Sequence, residues 1–304
     1  LPDDTQDARA VTPLATAPAA AAASADSAEV RRPGLGLAFL LSEITVLFRR
    51  TRTIAMLGAL ALIPILLAIA VKVTTSGDSG RGPAFLSQIT GNGLFVSLTA
   101  LTVSIPLFLP LTVGVVAGDT IAGEAGLGTL RYLLVAPAGR VRLLLVKYAG
   151  AALFCFVGTL VVVVVGALIG ALLFPIGPVT LLSGQQVGFA DYAGRMLLLA
   201  LYVTISLLGL SAIGLFISTL TSVPVGAMAA TIVLSTVAQI VGSLPQLSFL
   251  APYLFTNYWL GFADVLRSPM SFDNFQANAL LQLGYVVVFG FLAWGRFSTK
   301  DILS

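Results

Sequence analysis

The residues able to do chemistry are few, and most of them crowd into one stretch. Gly118 to Arg142 reads GDTIAGEAGLGTLRYLLVAPAGRVR and carries Asp119, Glu124, Arg131, Arg140 and Arg142, with Lys147 shortly beyond. Acids towards the start and bases towards the end of a short helix would complement its dipole. Elsewhere reactive groups are scarce. His is absent and Cys155 is the single cysteine. That excludes a haem, a His-ligated metal centre, a Ser-His-Asp triad and an intrachain disulfide. A phosphate loop needs G-x-x-x-x-G-K-[ST], whose amides and lysine hold the phosphates. The lysines are Lys72, Lys147 and Lys300, and none follows a glycine. The sequence therefore offers no catalytic, cofactor-binding or metal-ligating set, and any ATP hydrolysis must come from another polypeptide.

The elements that position these groups are dictated by composition. Of 304 residues, 58% are apolar and 10% are charged, against about 25% charged in a soluble domain. The mean hydropathy is +1.01. Bilayer is the solvent to reason with. Residues 1–34 differ from the rest: the first thirty hold eleven Ala, five acids and no aromatic residue. Such a segment buries too little to offset its ordering entropy, and its acidic start is unlike a signal peptide. A disordered tail is expected, followed by one membrane domain over 35–304. From Leu35 to Arg52, Leu37, Leu40, Ile44 and Leu47 mark one helical face. Glu43, Arg49, Arg50 and Arg52 supply the polar side. This predicts an elbow helix lying in the headgroup region, or else an inward extension of the first span.

Six apolar stretches follow, at 54–71, 94–117, 143–173, 195–218, 222–244 and 279–296. A helix needs about 20 apolar residues to cross about 30 Å of hydrocarbon, so the expectation is an all-α bundle of six spans. The third is longer than needed, with Lys147 reaching back to the inner headgroups. An N-terminus inside places twelve of the sixteen basic residues on the cytoplasmic side, leaving Lys72, Arg81, Arg195 and Arg267 outside. Both termini are then cytoplasmic. Segment 245–275 is aromatic, but Pro245, Pro252, Asn257 and Asp264 argue against a seventh span. It reads as a re-entrant or surface helical hairpin facing outside, or as an aromatic belt.

No Asp, Glu, Lys or Arg is expected near the midplane of a span, so ion coupling is disfavoured. Thr231, Ser235, Thr236 and Gln239 are the most polar deep residues, and they serve either as pathway contacts or as interhelical hydrogen bonds. Gly114 with Gly118, Gly166 with Gly170, and Gly226 with Ala230 have the spacing that lets helices approach closely.

Between the second and third spans, Leu127, Leu130 and Leu134 repeat at helical spacing, and Pro137 and Gly139 stop the repeat. Physics alone leaves two roles open: an interfacial cap, or a contact for a partner. The run Asp119, Glu124, Gly128-Thr129-Leu130, Leu133-Leu134, Pro137, Arg140, Lys147 resembles the cytoplasmic loop of type-2 (ABC-2 type) ATP-binding-cassette transporter permeases. Their pattern is an acid, E-x-x-x-G-T-L, a leucine pair, a Pro, an Arg and a Lys opening the third span. The elbow, the six spans and an outer re-entrant segment resemble that family too; the long Ala-rich tail departs from it.

The resemblance implies a multi-pass permease subunit of an exporter in the cytoplasmic membrane. It further implies a second permease copy, identical or different, and two copies of a separate ATPase chain that carries ATP and Mg. The loop would then be a coupling helix. Asp119, Glu124, Leu127, Gly128, Thr129, Leu130, Arg131, Leu134 and Pro137 would meet the ATPase, with Glu124 and Arg131 at the rim. An apolar pathway wall suits an amphiphilic substrate such as a drug, lipid or peptide, and nothing suggests nucleic acid. The alternative of a different class is a non-transport membrane anchoring or assembly factor.

Overall fold

The computed structural model describes residues 34–77, 89–128, 139–177, 179–180 and 185–299. The expected tail, up to residue 33, lies outside the described residues, as do Thr129, Leu130, Arg131, Leu134 and Pro137.

The chain is mostly helical. Helix α1 (Gly34–Arg49) turns at Arg50 into α2 (Thr51–Gly77). A short α3 (Phe95–Ser104) precedes α4 (Phe108–Gly126), and α5 (Arg140–Leu173) returns alongside. Strands β1 (Val179–Thr180) and β2 (Gln186–Val187) pair antiparallel, Val179 opposite Val187, as the one sheet among the described residues. Then come α6 (Phe189–Leu220), α7 (Pro224–Ser243), three 3-10 turns within Pro245–Leu266, and α8 (Asp273–Thr299). Helices α2, α4, α5, α6, α7 and α8 are each long and apolar enough to cross a membrane, which makes this a multi-pass membrane protein.

Two boundaries differ from expectation. The second apolar stretch is two helices, broken at Ile105–Leu107. Pro106 explains the break, because its ring lacks an N–H and clashes with the carbonyl four residues back. Helix α4 then continues to Gly126, nine residues beyond the expected end, so Asp119 and Glu124 belong to the helix and not to a loop. Gly128 sits just past its end with φ of +69°, the left-handed conformation that stops helices and favours glycine.

Helix α6 is the hub. Of its most apolar window, 72% is buried, against 22% for α2, 22% for α7 and 17% for α8. Tyr202, Leu199 and Leu207 from α6 join Leu101, Leu109 and Val162 in the main core. The small-residue spacing is used at two of three expected places. A Cβ on Gly118 would lie 2.8 Å from the backbone of Met228 in α7, and one on Gly166 would lie 2.7 Å from Cα of Ser97 in α3. Gly170 meets the backbone of Gly93 so closely that neither tolerates a side chain. Gly226 is different: a Cβ there would meet only Val223 of its own segment.

The two ends of the bundle differ in charge. One end gathers α1, the start of α5 and the end of α8, where Arg140 donates to the carbonyls of Phe297 and Ser298. Among the described residues this charged end holds seven bases and three acids, and the opposite end three of each.

The packing yields a direct test. Gly118→Leu should overpack the α4–α7 contact and cost about 1–3 kcal/mol. Gly226→Leu should stay within about 0.5 kcal/mol of the parent, as at an open site. Thermal unfolding midpoints of the purified chain in detergent measure both. Equal midpoints would contradict the close approach.

Candidate functional site

At the charged end six ionised side chains form one alternating chain. Lys147 Nζ lies 2.8 Å from Glu43 Oε2 and 3.3 Å from Glu124 Oε1. Glu124 Oε1 is also 3.1 Å from Arg50 Nη2. Arg50 Nη1 continues to Asp119 Oδ2 at 3.5 Å, and Asp119 meets Arg52 Nη1 at 3.1 Å. The order is Glu43, Lys147, Glu124, Arg50, Asp119, Arg52. Three cations balance three anions, and each inner member touches two opposite charges. A cavity of about 40 Å³ lies among them, lined also by Met56, Val116 and Ala151.

Four separate elements supply these groups. Glu43 lies between Leu40 and Leu47 on the half-buried face of α1, so α1 presents it inward rather than on its polar side. Leu47 and Phe48 pack with Met56 and Leu57 of α2 onto Val116, Ala151 and Phe154, and this apolar contact holds α1 in place. Arg50 and Arg52 come from the turn into α2. Asp119 and Glu124 come from the end of α4, and Lys147 from the second turn of α5.

The local electrostatics explain why the groups need one another. Glu124 stands in the last turn of α4, where the helix dipole is negative and a carboxylate is disfavoured. The short helix in which these acids would be favourable lies mostly outside the described residues. Lys147 stands in the second turn of α5, past the first turn where the helix dipole acts most strongly. Because the two helices run antiparallel, Glu124 and Lys147 face each other. Lys147 is only 7% exposed, so it does not reach back to headgroups; Glu124 is 14% exposed and faces this network, not an open rim. Arg52, at 53%, is the solvated end of the chain.

The other expected site residues are dispersed. Leu127 caps α4 and is 78% exposed, with Gly128 beside it. Thr231, Ser235, Thr236 and Gln239 all bond to carbonyls of their own helix, those of Ala227, Ile232, Ile232 and Ser235. Among the described residues they make no interhelical hydrogen bond. Back-bonding by Ser and Thr satisfies the hydroxyl without a partner helix. Thr236 is exposed and Thr231 is buried where α7 meets α4 and α6.

The deep polar contacts lie elsewhere, on residues the sequence reading passed over. Asn278 Nδ2 donates to Ser206 Oγ at 2.7 Å, and Gln282 Nε2 donates to Phe255 O at 2.8 Å. Gln282 Oε1 accepts from the N–H of Gly209. Arg195 donates to the carbonyls of Val265 and Arg267, and Tyr202 to that of Tyr258. These donors meet backbone that the 3-10 turns leave without an α-helical ladder, and such buried groups need partners. Phe255, Trp259 and Phe262 are core residues, not an interfacial belt. Two amides four residues apart in an apolar helix were the available signal.

Breaking the chain at its centre and at its tip should differ sharply. Lys147→Met leaves the mostly buried Glu43 without its cation and Glu124 with Arg50 but not Lys147, and should cost about 3–5 kcal/mol. Arg52→Ala removes an exposed pair and should cost at most about 1 kcal/mol. The triple change Glu43→Gln, Lys147→Met, Glu124→Gln should recover much of the loss, since no unpaired charge remains. Unfolding midpoints in detergent compare the three; equal costs for Lys147→Met and Arg52→Ala would mean that solvent screens the cluster.

No curated protein matches the chain. Residues 61–303 match a protein family described as "Protein of unknown function (DUF2705)". The match begins within α2 and takes in Asp119, Glu124 and Lys147, but not Glu43 of α1 or Arg50 and Arg52 at the turn into α2. Since it spans most of the 304 residues, the chain belongs to this family of unknown function.

Proposed function

We propose that the chain is the membrane permease subunit of an ATP-driven exporter, working with a separate ATPase and a second permease copy to move an amphiphilic substrate across the cytoplasmic membrane. The observation that carries the reading is the six-charge chain. It joins α4, which ends at the motif-bearing segment, to α5, which begins after it, and joins both to the elbow and α2. A push on the segment between Leu127 and Gly139 would therefore move four elements as a unit. An exposed Leu127 at the end of α4 suits a docking contact, and the Leu130, Leu134 repeat would extend it. Asp119 and Glu124 then act inward, fixing the segment to the bundle, while Leu127, Thr129, Leu130, Arg131, Leu134 and Pro137 face the ATPase. ATP and Mg would sit on that partner. No phosphate loop is present in the sequence, which supports the division of labour. The elbow would lie at the inner headgroups with both termini cytoplasmic, because bases prefer that side.

Purification of the full chain in mild detergent should recover an ATPase carrying a phosphate loop. Leu127→Ala and Leu130→Ala should each lower its recovery by roughly tenfold or more, as expected of an interface hot spot of about 2 kcal/mol. Transport into vesicles should require ATP and survive a protonophore. Undiminished recovery and transport in both variants would remove the coupling role, whereas no ATP-dependent transport by the parent chain would favour an anchoring factor.

Orientation is tested separately, with Cys155→Ala as background. Single cysteines at Gly139 and Ser298 should be protected from an impermeant thiol reagent in intact cells, and one at Ser268 should react. Labelling at Ser298 but not Ser268 would invert the topology.

A further inference from the structure

An apolar groove of about 410 Å³ opens between α5, α6 and α8 towards the charged end. Its volume lies in the range of ligand pockets, roughly 300–1,000 Å³. Gly290 gives it room, since nothing lies within 4 Å of where a Cβ would stand. Ala212 is buried within it, and Leu145 and Phe291 form exposed lips. Tyr148 adds no polar wall, because its hydroxyl donates to the carbonyl of Leu208.

The groove's extent selects its occupant. It runs from Val141 to Tyr148 on α5 and from Val286 to Trp294 on α8, about 10–12 Å of helix rise. That is less than half of the roughly 30 Å hydrocarbon thickness, so the groove belongs to one leaflet. A helix from a second copy would need a face running the whole span. Arg142, on the same first turn of α5 as Val141 although not itself in the groove's lining, is half-buried. The acids of this end, Glu43, Asp119 and Glu124, are engaged by Lys147, Arg50 and Arg52. Among the described residues Arg142 faces no acid. Trp294 on the lip has the aromatic character that suits the headgroup level.

We infer that this groove holds an acyl chain of an anionic phospholipid, with the phosphate against Arg142. The site requires only that the chain is embedded in a bilayer and does not depend on the transport reading.

The two tryptophans make the test specific. Trp259 is buried and Trp294 lines the groove, so the signal is the quenching lost in Trp294→Phe. The full chain is reconstituted in phosphatidylcholine vesicles containing a small, equal fraction of brominated phosphatidylglycerol or brominated phosphatidylcholine. The anionic lipid should quench Trp294 more strongly. Arg142→Gln should reduce that preference about fivefold, equivalent to the ~1 kcal/mol of a basic side chain at an anionic surface, and Arg142→Lys should keep it. Gly290→Leu, which fits the open space, should weaken quenching by both lipids. Equal quenching by the two lipids in the parent chain would overturn the proposal in favour of an unselective lipid annulus. Quenching by neither would overturn it in favour of a protein occupant, and undiminished quenching in Gly290→Leu would place the acyl chain elsewhere.

Discussion

A lysine closed off from water between two carboxylates is the constraint around which this bundle is arranged. Lys147 cannot keep its charge in a low-dielectric site unless opposite charge is close, and uncompensated burial costs several kcal/mol per ion. Glu43 and Glu124 meet that requirement from two different helices. Each needs its own geometry fixed first: α1 must lie against α5 by its Leu47 and Phe48 contacts, and α4 must run past the apolar stretch to bring Glu124 level with Lys147. The long helices follow from this. At 34 residues, α5 rises about 51 Å, well beyond the hydrocarbon thickness, and its surplus carries Lys147.

Elsewhere the bundle is held by the absence of side chains rather than by charge. At Gly118 against Met228 and at Gly166 and Gly170 against α3, backbones come closer than any Cβ would permit. Dispersion contacts and weak backbone interactions then replace the hydrophobic effect, which does not drive helices together within lipid. The opposite end is held differently again. There the chain between α7 and α8 winds in 3-10 turns, and Arg195, Tyr202 and Gln282 supply its carbonyls with donors. Buried backbone polar groups outside a regular helix need such partners.

Much of the architecture was legible because hydropathy reports length and polarity directly. The six apolar stretches, the half-buried face of α1 at Leu40, Ile44 and Leu47, and two of the three small-residue pairs all answer to simple periodicities. What periodicity hides is where a helix stops and which way a charge turns. Pro106 lies within an apolar stretch, so the break it makes left no composition signal. Glu124 reads as a loop acid because the apolar run ends before it, although α4 goes on until Gly128 supplies the left-handed stop. Glu43 reads as the polar side of an amphipathic helix because its partner, Lys147, stands about a hundred residues away. The hydroxyls of α7 show the converse: Thr231 and Ser235 are buried and polar but bond their own helix. Pairing across the fold decides each case, and a single chain's pattern does not carry it.

The order of the charges along the chain has a bearing on biogenesis. All six members of the cluster fall between residues 43 and 147. The ribosome therefore delivers every acid and base of the set before α6, the hub of the finished bundle, has been made. Glu124 and Asp119 emerge after Arg50 and Arg52, so each acid meets a waiting cation, and Lys147 arrives last to a pair of carboxylates already in place. The first half of the chain can thus neutralise its own charges at the insertion machinery without help from the second. Helices α6 to α8 then match apolar surface, and side-chain donors to backbone carbonyls.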